Sequence, residues 1–533
     1  MKFVSDPRIT VKIRKMNERV RWQEQPIADR GIDQTRIVLE TQTSDTPEFS
    51  FLVAGDSGTG NHRGHNPQRQ VAQLMLAEGR SCRFLLHTGD VVYLVGSSEY
   101  YLQNFIRPYR EFIVGGEQPS RIAYDRMVFN FPFLPVPGNH DYYDLPVLYG
   151  ILSATALPLR RLLGSKLDLD VGWHGSEIGN AYAKAFLDYL KAHKLPLELD
   201  RHLDAHYTAS TSTGRCLRYQ PGRFTRLPNR YYTFRSGGID FFALDSNTFN
   251  EPLPIPKTKQ GDIRRQNLEL DRQQLEKEKL EMLAMCDRLN PEIPEEAEQL
   301  DDLRAKLEQV DEILMDIDKQ LSPDRKADTD VEQLEWLKQR LIASWRDSQV
   351  RGRVIYLHHP PYVTEATKWN QAQTLAVRLR LREVLDAVAD AVGKEARGRS
   401  LVDLVLTGHA HCLEYLRTGD TGHGDSGINW IVCGGSGHSL RRQRPEGPVL
   451  QEASSPEAYR LAREPGSETA GRQVAESLLF VGRSGQGSHK RRPYSCLRID
   501  VLDGTPPKFR VRPLVVERFE GKWQEIAIEP FVI

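Results

Sequence analysis

The sequence predicts a layered α/β fold, because short apolar strands repeatedly end in Gly followed by an acidic or amide side chain. Three such stretches are FSFLVAGDSG, CRFLLHTGDVVY and FPFLPVPGNHDYY. NPQRQVAQLMLAEG, between the first two, has helical spacing and ends at Gly. A strand, helix, strand order of this kind places functional groups at the C-terminal ends of the strands.

The second half of the chain continues this pattern. YYTFRSGGIDFFALDSN alternates as a strand does, and VEQLEWLKQRLIASW has the spacing of an amphipathic helix. GRVIYLHHPPY and LVDLVLTGHAHCLEY predict strands that end in histidines, and INWIVCGGSGH predicts a further strand. YSCLRIDVL, KFRVRPLVV and QEIAIEPFVI predict closing strands near the C-terminus.

A chain of 533 residues exceeds the usual size of one hydrophobic core, so insertions into a large domain are expected. We predict that residues 1–47, which are polar with weak strand patterns, form an N-terminal extension or an edge strand, and that residues 48–533 form the main domain. The predicted insertions lie at about 146–203, 262–322 and 441–490. The last of these is rich in Gly, Ser, Glu and Arg and predicts a long surface loop.

Two heptad patterns predict an antiparallel coiled-coil hairpin within residues 262–322. The first consists of Leu268, Leu275, Met282 and Leu289, and the second of Leu300, Leu303, Leu307, Val310, Leu314, Ile317 and Leu321. NPEIPEE separates the two helices. The hairpin either packs only on itself or serves as an arm for dimerisation or partner docking, and its charges do not indicate catalysis.

The composition excludes a general attraction to nucleic acid or acidic membrane, since 72 Lys and Arg residues balance 72 Asp and Glu residues. The N-terminal stretch MKFVSDPRITVKIRKMNERVRW has no uninterrupted apolar segment, so neither a secretory signal nor a membrane span is expected there. The six cysteines are far apart and include no CxxC pair, which favours reduced thiols. We therefore expect a cytoplasmic protein.

The predicted strand ends carry a set of oxygen and nitrogen ligands. The set comprises Asp56, Asp90, Tyr93, Asn139, His140, Asp141, His358, His359, His409 and His411. Such donors suit a pair of hard or borderline ions such as iron, manganese or zinc. Asp56 alone is also compatible with a turn aspartate, and GDSGTGNHRGH lacks the GK[ST] of a phosphate-binding loop. The order of the motifs at strand ends makes a metal site the better interpretation.

The ordered motifs GD, GDxxY, GNHD, HxP and GHxH resemble those of the calcineurin-like metallophosphoesterase superfamily. Within it, GDSG with GDVVY resembles the purple acid phosphatase branch, where Tyr93 replaces the histidine ligand that most of the superfamily has at the position of Gly58. The resemblance implies a four-layer αββα sandwich. It extends from Asp56 to His411 and leaves out the hairpin.

By this resemblance, one metal is bound by Asp56, Tyr93 and His411, a second by Asn139, His358 and His409, and Asp90 bridges both. His140 is then a catalytic residue that contacts the phosphate or protonates the leaving group, with Asp141 orienting it. His359 is a pocket or packing residue. His62, His65 and His438 lie in glycine-rich loops near the motifs. These three residues and His359 are candidate substrate contacts.

The resemblance implies a dinuclear metal-dependent phosphoesterase that hydrolyses phosphate esters through a metal-bound hydroxide. Fe(III) with a divalent Fe, Zn or Mn ion is the expected metal pair, because a phenolate is a good ligand for ferric iron. The expected substrate is a phosphorylated small molecule or another phosphoester. Two alternatives are a non-purple phosphodiesterase or nuclease with two divalent ions, and an interaction protein that docks through the hairpin.

Overall fold

The strands that carry the predicted motifs lie in two β-sheets of the computed structural model, which describes residues 4–40, 46–59, 65–79, 81–144, 175–290, 292–322, 328–396, 398–452, 471–486, 489–519 and 521–533. The strands are β1 (Ile32–Leu39), β2 (Phe49–Ala54), β3 (Cys82–His87), β4 (Phe133–Pro135), β5 (Ala209–Thr211), β6 (Gly214–Tyr219), β7 (Tyr232–Ser236), β8 (Ile239–Ala243), β9 (Gly352–Tyr356), β10 (Leu404–Thr407), β11 (Leu413–Thr418), β12 (Asn429–Cys433), β13 (Val449–Glu452), β14 (Arg472–Val481), β15 (Tyr494–Val501), β16 (Phe509–Phe519), β17 (Lys522–Ile526) and β18 (Phe531–Val532). The larger sheet has the order β13-β14-β11-β12-β10-β9-β8-β7-β1-β6-β5. The smaller sheet has the order β17-β16-β15-β2-β3-β4, and β18 pairs with β16.

Helices flank both sheets. They are α1 (Ile9–Val20), α2 (Gln25–Ala28), α3 (Pro67–Gly79), α4 (Asn180–Phe186), α5 (Pro196–His206), α6 (Lys259–Cys286), α7 (Pro294–Leu321), α8 (Val331–Arg346) and α9 (Ala372–Val392). Across the described ranges, every helix is too short or too polar to cross a bilayer.

The two sheets pack face to face between two helical layers. Successive side chains of β9 point to opposite faces of the larger sheet. Val354 lies in the core shared by the two sheets, and Ile355 packs beneath α8 and α9. Phe84 of the smaller sheet meets Phe241 of the larger one edge to face, with ring centroids 5.2 Å apart. Helix α3 packs against β15 and β16 of the smaller sheet. The predicted αββα sandwich is therefore confirmed.

Parallel pairing brings the ends of the motif strands together. In the smaller sheet β2, β3 and β4 are parallel neighbours. In the larger sheet β8, β9, β10 and β12 are parallel in the same way. The C-terminal ends of the strands within each of these runs lie at one edge of the sheet, and the predicted ligands follow β2, β3, β4, β9 and β10 there.

The N-terminal extension is more structured than its polar composition predicts. Residues Ile9, Met16 and Val20 are buried on one face of α1, where charged residues separate them in the sequence. Strand β1 pairs with β6 on one side and with β7 on the other. The expectation of an extension or edge strand is therefore wrong, because β1 is an internal strand of the larger sheet.

The predicted loop over residues 441–490 also requires correction. It contains β13 and β14, and β14 pairs with β11 in antiparallel register. Val474, Ala475 and Val481 of β14 are buried, although polar residues around them dominate the composition. The parts at 453–470 and 487–488 lie outside the described residues. For the insertion at 146–203 the described part begins at residue 175 and contains α4 and most of α5.

Helices α6 and α7 run antiparallel, as predicted for the hairpin. Arg272 of α6 pairs with Asp318 of α7 at 3.7 Å. Lys279, seven residues after Arg272, pairs with Asp311, seven residues before Asp318. The coiled-coil geometry and the role in dimerisation or partner docking stay predictions. The expectation that the hairpin packs only on itself is wrong, since Lys319 of α7 pairs with Asp6, which precedes α1.

Buried His87 predicts an acid sensitivity of folding. Its Nδ1 accepts from the Gly89 amide at 3.3 Å, so Nε2 donates to Ser57 Oγ at 2.9 Å and the ring is neutral. Burial lowers the pKa of His87 from 6.5 to about 3. Between these values the unfolded chain binds the proton and the folded chain does not, so stability is lost as pH falls, by up to about 1.4 kcal/mol per pH unit. Urea unfolding at several pH values should show this slope reduced in His87→Gln.

The control for this experiment is His423→Gln, since the His423 side chain is 43% exposed. Its pH profile of unfolding should follow that of the unchanged protein. Parallel profiles for His87→Gln and the unchanged protein would show that His87 does not couple protonation to folding.

Candidate metal centre

Six of the seven predicted metal ligands follow directly from the ends of β2, β3, β4, β9 and β10, and all seven are buried. Two groups of carboxylate and imidazole donors lie close enough to hold metal ions, Asp56, Asp90 and His411 in one and Asp90, His358 and His409 in the other. Asp90 belongs to both groups. This is the sharing predicted for a bridging carboxylate, and the roles of the individual ligands stay predictions.

Tyr93 lies at the centre of the first group. Its hydroxyl oxygen is 3.0 Å from Asp56 Oδ1, 2.9 Å from Asp90 Oδ2 and 3.1 Å from His411 Nε2. Ligand atoms bound at about 2.0–2.2 Å to one ion lie roughly 3 Å from each other. The His411 Nδ1 atom contacts the Ser439 carbonyl at 3.1 Å, which leaves Nε2 facing the group.

The second group has the same spacing. His358 Nε2 is 2.8 Å from Asn139 Oδ1 and 3.2 Å from Asp90 Oδ2. The other ring nitrogen of His358 contacts the Thr88 carbonyl at 2.8 Å. The His409 ring lies 5.0 Å from the His358 ring, between centroids. Among the described atoms, Asn139 Nδ2 is buried without a hydrogen-bond partner, so the amide is held through the oxygen that faces the site.

The backbone bends sharply to present these side chains. Asp56, Asp90 and His409 have φ values of 55°, 53° and 66°, which non-glycine residues rarely adopt. Such conformations cost about 1–3 kcal/mol each and concentrate at functional sites. Gly138 is required at the opposite wall, because a Cβ there would lie 2.1 Å from Asp90 Oδ1. The strand ends are thus shaped around the two carboxylates.

The electrostatics of the site favour bound cations. Burial, with the Asp90 charge as a smaller contribution, raises the pKa of Asp56 to about 8. Burial and the carboxylates of Asp56 and Asp90 raise the pKa of Tyr93 well above 10. A buried cation would offset both effects, since it stabilises the carboxylate and the phenolate. The donor set of carboxylates, phenol, amide and imidazoles is of a kind that binds hard or borderline metal ions.

Gly58 has a steric reason for its small side chain. A Cβ at this position would lie 2.0 Å from the Val91 carbonyl oxygen, so a histidine cannot replace Gly58 in this backbone. The hydroxyl of Tyr93 is the group that reaches between Asp56 and His411 instead. The replacement of a histidine ligand by Tyr93, which the GDxxY motif implies, stays a prediction.

His140 faces the site, but Asp141 does not orient it. The His140 Nδ1 atom contacts the Leu94 carbonyl at 2.6 Å, and Nε2 is 4.0 Å from Asp90 Oδ2. The Asp141 carboxylate instead accepts from the amides of Gly138 at 2.8 Å and Val91 at 3.1 Å. The prediction that Asp141 orients the imidazole is wrong, because this carboxylate fixes the loops that follow β3 and β4.

The histidines predicted to contact substrate lie in different environments. His359 is buried with one ring nitrogen 2.8 Å from Ser246 Oγ and the other 3.2 Å from Asn250 Nδ2, so it acts in packing and its assignment as a substrate contact is wrong. The ring of His65 contacts Arg518 of β16, a contact that was not predicted from the sequence. His62 lies outside the described residues. His438 stacks on Tyr93 with ring centroids 3.9 Å apart and is therefore part of the site.

Four further residues near the site were missed from the sequence. Lys368 Nζ lies 3.0 Å from His409 Nε2 and 2.5 Å from Glu312 Oε2 of α7. Glu308 of α7 reaches His438 at 3.1 Å and Arg441 at 3.3 Å. The heptad pattern identifies the apolar face of α7 and carries no information about the carboxylates on its other side.

Comparisons with known proteins give weak matches in structure only. Neither a scan against protein-family models nor a search of curated proteins finds a match. Among solved structures, the chain is similar to the purple acid phosphatase PPD1 from yellow lupin seeds, with 12% identity and a TM-score of 0.40 over 92% of this chain and 55% of the lupin chain. PhoD is 13% identical with a TM-score of 0.37, over 92% of this chain and 70% of that one.

A third similar structure is GAP50, the anchor in the inner membrane complex of Plasmodium, with 11% identity and a TM-score of 0.34 over 90% of this chain and 89% of that one. This chain spans little more than half of the lupin protein. At these scores the likeness carries no conclusion about activity.

Proposed function

We propose that the protein is a dinuclear metal-dependent phosphoesterase of the purple acid phosphatase type. The observation that supports this most directly is the pair of ligand groups that share Asp90. Two groups with a common carboxylate suit two cations roughly 3.5–4 Å apart, as in phosphatases and nucleases. The substrate class is a phosphorylated small molecule or another phosphoester, and hydrolysis breaks its phosphorus–oxygen bond.

Two bound cations would supply Lewis acidity for the phosphoryl oxygens and a nucleophilic oxygen near neutral pH. The residues of the chain have separate tasks around them. Asp56, Tyr93 and His411 would hold one ion, Asn139, His358 and His409 would hold the other, and Asp90 would belong to both groups. His140 Nδ1 donates to the Leu94 carbonyl, so the protonated ring would give the proton on Nε2 to the departing oxygen. The burial of these groups excludes bulk water and strengthens each electrostatic contact.

The proposed metal pair is Fe(III) at the Tyr93 group and a divalent Fe, Zn or Mn ion at the other. The contact of the Tyr93 hydroxyl with Asp56 and His411 supports this choice, since a phenolate completes a site of hard donors. The alternative is a non-purple phosphodiesterase or nuclease with two divalent ions. We further propose a cytoplasmic location, which the six free thiols support.

The visible absorption spectrum and the metal content of the purified protein test this proposal. We expect a purple chromophore with iron, from charge transfer between tyrosinate and Fe(III), and its loss in Tyr93→Phe. Tyr101→Phe is the matched control, because Tyr101 is fully buried outside the site. A colourless protein with two manganese or zinc ions and phosphoesterase activity would favour the non-purple alternative. A protein that binds no metal would contradict the proposed function.

A further inference from the structure

A row of carboxylates on α7 faces the main domain instead of solvent. Asp302 contacts Arg483 at 2.6 Å and Arg492 at 2.8 Å. Glu308, Glu312 and Asp316 lie further along α7 and are spaced four residues apart, which places these three on one face of the helix. Asp316 accepts from the amides at the start of α9, at Ala372 and Gln373, both at 3.0 Å. Charged side chains of α7 therefore contribute to the attachment of the hairpin to this side of the domain.

The central two of these carboxylates reach cations that border the predicted metal ligands. Glu312 pairs with Lys368, whose Nζ is 3.0 Å from His409 Nε2. Glu308 pairs with Arg441, whose amide donates to the His411 carbonyl at 3.0 Å. Glu308 also contacts His438, which stacks on Tyr93. Three donor groups thus converge on the α7 side of the site.

These donor groups require an anion. The side chains of Lys368 and Arg441 are 1% and 2% exposed, and buried cations are costly unless they are paired. Cations held by the adjacent ligands would repel them further. Burial opposes ionisation of Glu308, but His438 and Arg441 lower its pKa to about 2, so Glu308 is a carboxylate. A phosphoryl group offers the same negative oxygens to the same donors.

We propose that Lys368, Arg441 and His438 form the pocket that binds the phosphoryl oxygens of the substrate, and that Glu308 and Glu312 of α7 fill this pocket as internal anions until a substrate displaces them. This inference rests on the proposed phosphoesterase function. The hairpin then sets the threshold for substrate entry, because an anion must compete with two carboxylates already in place. Met315 of α7, packed with Val95 and Tyr143, closes the same side of the site.

The test is the binding of inorganic phosphate to the full-length, metal-loaded protein, measured by titration calorimetry. Lys368→Met should weaken binding about tenfold or more, because a charged hydrogen bond is lost. Glu308→Gln/Glu312→Gln should strengthen it by a similar factor, because the internal anions are removed. Glu269→Gln on α6 is the control and should leave the affinity unchanged, because the Glu269 side chain is 45% exposed.

Weaker phosphate binding in Lys368→Met together with stronger binding in the double glutamine variant would show that Glu308 and Glu312 compete with phosphate. The same result would exclude a role for α7 that is limited to positioning Lys368. If the double glutamine variant also weakens phosphate binding, α7 only positions Lys368 and the internal-anion proposal is wrong. If Lys368→Met and the double variant both bind as the unchanged protein does, the pocket is wrong. Should the double variant fail to fold, Glu312→Gln alone gives the same comparison, because Glu312 is the carboxylate that contacts Lys368.

Failure of this inference can be separated from failure of the proposed function. Turnover of p-nitrophenyl phosphate by the unchanged, metal-loaded protein tests the function, and the direction of the affinity changes tests the pocket. Turnover with affinity changes of the same sign contradicts the pocket alone. Metal and phosphate binding with opposite changes but without turnover contradicts the phosphoesterase alone.

Discussion

Asp90→Asn is expected to lose bound metal at both positions and to lower turnover by roughly 10³-fold or more, since metal ions contribute several kcal/mol to phosphoryl transfer. Asp90 is the residue that both ligand groups contain. Its Oδ2 lies 2.9 Å from the Tyr93 hydroxyl and 3.2 Å from His358 Nε2. An amide lacks the charge that holds two cations together, so the substitution affects both ions.

Elemental analysis of the purified variant, with turnover of p-nitrophenyl phosphate, measures this effect. Asp386→Asn provides the control, because Asp386 is 42% exposed and lies outside the site. It should keep both metals and full turnover. Retention of both metals and full activity in Asp90→Asn would show that Asp90 does not bridge. Loss of one metal only would assign Asp90 to a single ion.

The arrangement of the predicted ligands follows from local sequence features. Asp56 and Asp90 each come after an apolar strand and a Gly, and parallel pairing of β2 with β3 places them side by side. His358 and His409 follow β9 and β10 in the larger sheet for the same reason. Strand type and ligand order are local properties, so the sequence predicts them. The packing of the two sheets against each other then brings the C-terminal ends of these strands together.

The features that the sequence does not predict depend on contacts between distant segments. Glu312 of α7 and Lys368 lie 56 positions apart, and nothing in the heptad pattern of α7 indicates their ion pair. Asp141 is adjacent to His140, yet its carboxylate binds backbone amides of two loops. Strand β14 is also not predicted from local sequence, because it forms by pairing with β11, while its composition is typical of a loop.

His140→Ala should keep both metals but lower kcat, by roughly 10²–10⁴-fold for alkyl phosphates with poor leaving groups. The loss should be smaller for p-nitrophenyl phosphate, whose leaving group needs little protonation. The geometry supports an acid at this position, because the contact of Nδ1 with the Leu94 carbonyl leaves Nε2 facing the site. Burial lowers the pKa of His140, which makes its protonated form a stronger acid.

The measurement is kcat for a series of phosphate esters whose leaving-group pKa values differ, with metal content determined on the same samples. His423→Ala controls for removal of an imidazole, since its side chain is exposed. An acid at His140 makes the dependence of kcat on leaving-group pKa steeper in the variant than in the unchanged protein. An equal loss for all esters would instead assign His140 to binding of the phosphoryl group. In that case the proton for the leaving group has to come from another donor, and His438, which stacks on the same Tyr93 ring, is a second imidazole beside the site.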